Sequence, residues 1–145
     1  MAVTTDQYTQ RKGGTASTDA VPMKAAIKCP HLTMAFIDAT TGLLTNIIDS
    51  GNNKFAGIIK GGDDGDGVGQ DNTNGANGDI DAELYHDGKW LLTGSGFTQA
   101  DVGKKAYATD NYVVGVSASS TTYIGTVKEY VSATQIWVEI DTQLP

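Results

Sequence analysis

The amino-acid sequence predicts an all-β domain, a small β-barrel preceded by an extended N-terminal arm, and three observations carry that expectation. From residue 31 onward, short apolar or alternating runs recur every 8–12 residues or so, with turn residues between them, as in a sandwich or barrel. Eighteen glycines, many Thr, Ser, Asn and Asp residues, and only three prolines supply turns more readily than helix interiors. The one helical signature, Thr98-Gln99-Ala100-Asp101-Val102, is a single turn, with Thr98 as N-cap, Asp101 three residues on, and Gly103 as terminator.

Residues 1–28 form the arm in this reading. Arg11, Lys12, Lys24 and Lys28 outweigh Asp6 and Asp19, so the segment is basic. Its apolar residues are sparse, Gly13-Gly14 and Ser17-Thr18-Asp19 interrupt any element, and Pro22 holds Val21 extended. Such a segment buries too little apolar surface to order by itself and is either a disordered tail or a segment ordered only on a partner.

Residues 29–145 form the barrel. The run Leu32 to Ile37 ends at Asp38, Thr40-Thr41-Gly42 turns the chain into Leu43 to Ile48, and Gly51-Asn52-Asn53 turns it again into Phe55 to Ile59. An acidic loop at 61–79 follows, then the alternating Ile80-Asp81-Ala82-Glu83-Leu84. Asp87-Gly88 is a hairpin signal ahead of Lys89-Trp90-Leu91-Leu92. Later runs are Lys105–Ala108, Tyr112–Val116, Tyr123–Val127 and Ile136–Ile140. Phe36, Phe55, Trp90, Tyr107, Tyr123 and Trp137 fall within these runs and are expected in the core.

An internal echo suggests two related β-meanders closing one barrel. Phe55-Ala56-Gly57-Ile58-Ile59-Lys60 matches Tyr123-Ile124-Gly125-Thr126-Val127-Lys128 in character, and Ala35-Phe36 matches Ala106-Tyr107. Ile80–Leu84 aligns with Ile136–Ile140, but 20 residues separate Lys from Ile in the first copy and 8 in the second. The difference is the acidic loop.

Composition excludes several function classes. The 145 residues carry 10 Lys and Arg against 17 Asp and Glu, a formal charge of −7, with no basic cluster for nucleic-acid phosphates. No run approaches the roughly 18 apolar residues of a membrane span, and no basic start plus apolar core marks a secretory signal. One cysteine cannot build a disulfide framework, and two histidines cannot build a three-His metal site.

The stretch from Gly61 to Asp81 holds seven Gly, six Asp and three Asn and no Lys or Arg. Closely spaced oxygen donors on flexible backbone suit calcium. The EF-hand spacing fails, however: counted from Asp64, the twelfth position is Gly75, where a bidentate Glu is required. A solvated hairpin loop is the simpler expectation. Gly65, Gly67 and Gly69 miss the dinucleotide fingerprint because residue 70 is Gln, and nearby carboxylates repel a pyrophosphate. Gly103-Lys104-Lys105 lacks the rest of a P-loop.

Nucleophilic chemistry finds no better footing. Cys29 and His31 stand two residues apart around Pro30, and Cys29 reads as a small apolar packing residue. Ser95 in Thr93-Gly94-Ser95-Gly96-Phe97 is not a nucleophile elbow. His86 reads as an exposed turn residue, and Asp81 with Glu83 as the solvent side of a strand. The sequence therefore implies no catalytic residue, no cofactor and no metal ligand.

Ala2-Val3-Thr4-Thr5 with the arm behind it, LTGSGFTQADVGKKAYATD (Leu92 to Asp110) and YIGTVKEYVSATQIWVEID (Tyr123 to Asp141) resemble capsid cement proteins of tailed bacteriophages. The resemblance covers most of the chain; the acidic loop is its least familiar part. It implies a β-barrel or β-tulip domain whose arm contributes to binding the outside of an assembled head. The implied partner is the major capsid protein, the assembly a homotrimer, and the location the outer surface of the virion. In the arm, Tyr8 would anchor and Arg11 and Lys12 would pair with acidic capsid surface. The alternative, in another class, is a virion-surface or secreted β-domain that binds calcium or a glycan through residues 61–81.

Overall fold

A computed structural model describes residues 11–12, 18–61 and 69–142. Among them the chain is all-β, with two 3-10 turns, at Asp49–Gly51 and Gln99–Asp101. The second turn is the one expected at Thr98: the Thr98 N–H donates to the Asp101 carboxylate at 2.9 Å, and Gly103 leaves the turn with φ +91°.

The strands are β1 (Arg11–Lys12), β2 (Thr18–Pro22), β3 (Lys28–Cys29), β4 (Met34–Ile37), β5 (Leu44–Thr45), β6 (Lys54–Gly61) and β7 (Gln70–Asp71). They continue as β8 (Asp81–Tyr85), β9 (Lys89–Thr93), β10 (Lys105–Ala108), β11 (Val114–Gly115), β12 (Thr122–Ser132) and β13 (Gln135–Ile140). One sheet has the order β2-β8-β6-β4-β5, a second the order β1-β9-β13-β12-β10-β11, and β3 pairs with β7 apart from both. Every ladder is antiparallel.

The two large sheets are one meander built twice. Ala35 faces Gly57 and Phe36 faces Phe55, with a bulge between Ala35 and Phe36. In the second sheet Ala106 faces Gly125 and Tyr107 faces Tyr123, with a bulge between Ala106 and Tyr107. Ile59 faces Leu84 just before a further bulge, as Val127 faces Val138. Bonds outside the ladders repeat too. Leu32 N–H donates to Ile59 O and Gly103 N–H to Val127 O, both at 2.8 Å; Met23 donates to Ile80 and Gly94 to Thr134, both at 3.0 Å. The register thus sets Leu84 equivalent to Val138, two residues from the alignment with Ile140 suggested by the sequence echo. A slip of two keeps the same face of a strand inward, so the apolar pattern matched either way.

The two meanders do not close one barrel. Each stays an open sheet, and among the described residues one isolated parallel bridge links its two sides, Met23 with Leu44 in the first and Thr93 of β9 with Val113 in the second. The first meander wraps a small core of Met23, Ala35, Leu44, Ile59, Ala82 and Leu84. Its other face, with Met34, Phe36, Phe55 and Ile58, packs into the core of the second meander. Burial on both faces explains why Phe55 to Ile59 is continuously apolar while the second copy alternates.

Part of the segment expected as an arm, residues 1–28, is built into the first sheet. Thr18–Pro22 is a full strand paired to β8, and Met23 is completely buried. Val21, Met23 and Ile27 are few, but all three pack into the first core, which is enough to order this stretch.

Aromatic residues divide differently from the expectation. Phe36, Phe55 and Trp90 are buried, whereas Tyr107, Tyr123 and Trp137 are half-buried. Ala106 and Ala108 take the inward positions of β10, and Ile136 and Val138 those of β13, so the aromatic residues between them turn outward.

Candidate docking surfaces

The arm residues singled out for binding fall at one sheet edge or outside the described residues. Tyr8 lies outside them. Arg11 and Lys12 form β1, which adds to the edge of β9 with Arg11 opposite Trp90 and Lys12 opposite Lys89. The chain therefore uses its own N-terminal segment as an added strand, the mode by which extended peptides dock on sheet edges.

The described part of the acidic loop, residues 69–81, is a clasp rather than a free hairpin loop. Asn72, 3% exposed, donates from its side chain to Lys24 O at 2.9 Å and Ala76 O at 3.0 Å. Ala26 N–H donates to Asn72 O at 3.0 Å, Ala25 N–H to Asn77 Oδ1 at 2.7 Å, and Gly78 N–H to Met23 O at 2.8 Å. The loop pins the connection from β2 to β3. Two of its glycines are contact requirements: a Cβ on Gly69 would lie 2.3 Å from Cys29 O, and one on Gly75 would lie 1.9 Å from Asn72 Oδ1.

Two carboxylates of this segment serve as caps, and Glu83, just beyond it, is an ion partner. Asp71 accepts from the Thr73 hydroxyl and, at 2.9 Å, from the Thr73 N–H, and these bonds hold its carboxyl below the usual range. Asp79 accepts from Ala76 N–H at 2.8 Å, and Glu83 meets the Lys60 ammonium at 3.2 Å. Among the described residues no three His, Cys, Asp or Glu side chains gather as a metal site. Residues 62–68, with three of the aspartates, lie outside the described residues.

Cys29 is 1% exposed, and burial pushes its thiol up to about 12, which removes the thiolate a nucleophile needs. The Nδ1 of His31 is 2.8 Å from Lys60 O. His86 is half-buried rather than exposed, and Ser95 stands exposed in a bend. No described helix is long and apolar enough to cross a membrane.

Two surface features went unmarked in the sequence. Tyr130 and Val131, 36% and 47% exposed, project beside the β12–β13 turn. Their signal is the break of apolar alternation after Val127, where Lys128-Glu129 intervene. A recess of about 200 Å³ lies between the meanders, lined by Asn53, Lys54, Tyr107, Thr122 and Tyr123. Tyr107 and Tyr123 meet edge-to-face at 6.1 Å, and Lys105 sits 5.7 Å over the Tyr123 ring. Partial burial and then the Asp141 carboxylate, 3.2 Å from its hydroxyl, raise the Tyr123 pKa. Comparison of this chain with family models, curated proteins and solved structures finds no match.

Proposed function

We propose that this chain is a non-enzymatic cement protein that decorates the outer surface of an assembled bacteriophage head and stabilises it, as a homotrimer on the major capsid protein. One observation carries the reading furthest: the N-terminal segment is used as an added edge strand, with Arg11 and Lys12 in β1. Backbone pairing of this kind needs no deep pocket, and repetition over a lattice raises the effective concentration of each weak contact. The resemblance of Leu92–Asp110 and Tyr123–Asp141 to cement proteins supports the same conclusion. In this reading Tyr8, Arg11 and Lys12 meet the capsid, and no cofactor, nucleic acid or membrane takes part.

Electron microscopy of undecorated heads mixed with the protein tests it. Added density at threefold or quasi-threefold positions is the expected result. A chain lacking residues 1–12 is expected to leave most heads bare. Heads that stay bare with the full chain would refute decoration, and full occupancy by the shortened chain would remove Tyr8, Arg11 and Lys12 from the mechanism. The calcium or glycan alternative predicts instead a large EDTA-sensitive shift in melting temperature, or saturable sugar binding, with no added density on heads.

A further inference from the structure

The repeat exposes a second place for the N-terminal strand. On β9 the outer edge is shared: β1 covers Lys89 and Trp90, and Thr93 bridges to Val113. On its counterpart β2, Met23 bridges to Leu44, but among the described residues nothing pairs with the outer edge at Thr18 and Asp19. Thr18 and Asp19 face Tyr85 and Leu84, as Lys89 and Trp90 face Glu139 and Val138. By register, then, Thr18 and Asp19 are the positions that β1 occupies on the other sheet. Among the described residues they are an uncovered strand edge, which folded proteins seldom leave open.

We infer that this edge of β2 is a docking surface for the chain's own Arg11-Lys12 segment, paired antiparallel with Lys12 opposite Thr18 and Arg11 opposite Asp19. Three observations name this occupant. The same two residues already pair with the equivalent edge of β9. Only five residues of sequence, 13–17, separate Lys12 from Thr18, and they include Gly13-Gly14, so the pairing is a local hairpin register. Charge also favours it: the β9 position sets Lys12 against Lys89, whereas the β2 position sets Arg11 against Asp19. Like charges directly opposite weaken a strand pair and opposite charges strengthen it. The strand thus has two homes and covers one edge at a time, leaving the other open to the backbone of another chain.

Amide hydrogen exchange on the full-length protein, read residue by residue, tests the inference. The outward amide of the Thr18–Asp19 pair is expected to show protection above that of an open edge, unchanged by dilution. Arg11→Asp, which sets like charges opposite each other on β2, is expected to abolish that protection. Arg11→Asp combined with Asp19→Arg is expected to restore it, an outcome that general destabilisation cannot produce. An unprotected outward amide at Thr18–Asp19 in the wild type, or failure of the charge swap to restore protection, would overturn the inference. Protection that grows with protein concentration would assign the edge to a second copy and overturn it equally. Melting temperatures of all variants, expected near wild type, show that the body is folded in each.

Discussion

Replacing Gly125 by alanine tests the repeated architecture at its most constrained point. Gly125 has φ +158°, and a Cβ there would lie 2.0 Å from Glu139 O, 2.9 Å from Glu139 C and 3.0 Å from Ile140 Cα. All three atoms are backbone of the paired strand β13, so no side-chain rotation relieves the overlap. Forcing a non-glycine residue into that backbone region costs about 1–3 kcal/mol. Overpacking against a fixed neighbour adds about 1–3 kcal/mol more. The expected loss is about 4 kcal/mol, large for a single methyl group. Gly57, its counterpart in the first meander, has φ +150° with a Cβ position 2.4 Å from Tyr85 O, so Gly57→Ala is expected to behave alike. Gly42 supplies the control: its φ is +72° but its Cβ position is open, leaving a conformational cost of about 1–2 kcal/mol. Urea unfolding of the three variants gives the comparison. A Gly125→Ala loss below about 1 kcal/mol, or a Gly42→Ala loss as large as that of Gly125→Ala, would refute the reasoning.

Three further outcomes follow from packing and ionisation. Phe36, fully buried and 6.2 Å from Phe55 between the two meanders, is expected to cost about 3–5 kcal/mol when replaced by alanine, read from the same urea midpoints. The Cys29 thiol is raised from 9.0 to about 12 in the folded chain, so its contribution is complete below about pH 9 and is lost as pH rises toward 12. Thiol reagents at neutral pH should therefore modify Cys29 only as fast as the chain opens. Asp38 is held at about 2, first by the Lys24 ammonium 2.8 Å away and then by the Thr41 and Thr40 N–H groups. Because its pKa is lowered on folding, its contribution is present above the ordinary value of 3.8 and disappears as pH falls toward 2. Asp38→Asn should flatten that acid limb of a pH–stability curve, with NMR titration of the wild-type carboxyl giving the midpoint.

Much of the strand pattern was legible because turns and alternation announce themselves locally. The duplication was legible for the same reason, since Gly57 and Gly125 sit at matched bulges that admit no side chain. Closure was not legible: whether two meanders share one barrel or stand as two curled sheets depends on edge contacts such as Met23 with Leu44, which leave no period in the sequence. Tyr107 and Tyr123 were misplaced because a bulge decides which residue of Ala106-Tyr107-Ala108 turns inward, and the interior is filled from elsewhere, including Phe97. Phe97 lies in a glycine-rich bend and belongs to no alternating run. The candidate docking residues were legible only as a basic segment; that Arg11 and Lys12 pair with β9 is set by residues nearly eighty positions away.

The equivalence of the β6–β8 and β12–β13 connections bears on what the chain tolerates. One spans residues 62–80, the other only Ala133 and Thr134, yet both join strands in the same register. The backbone bonds that frame the short turn, Gly94 N–H to Thr134 O and Phe97 N–H to Ala133 O, come from outside it. Lengthening a surface loop costs little and grows only logarithmically with its length. The second hairpin is therefore a ready graft point for a foreign peptide, and the first shows that this ladder survives such an insertion.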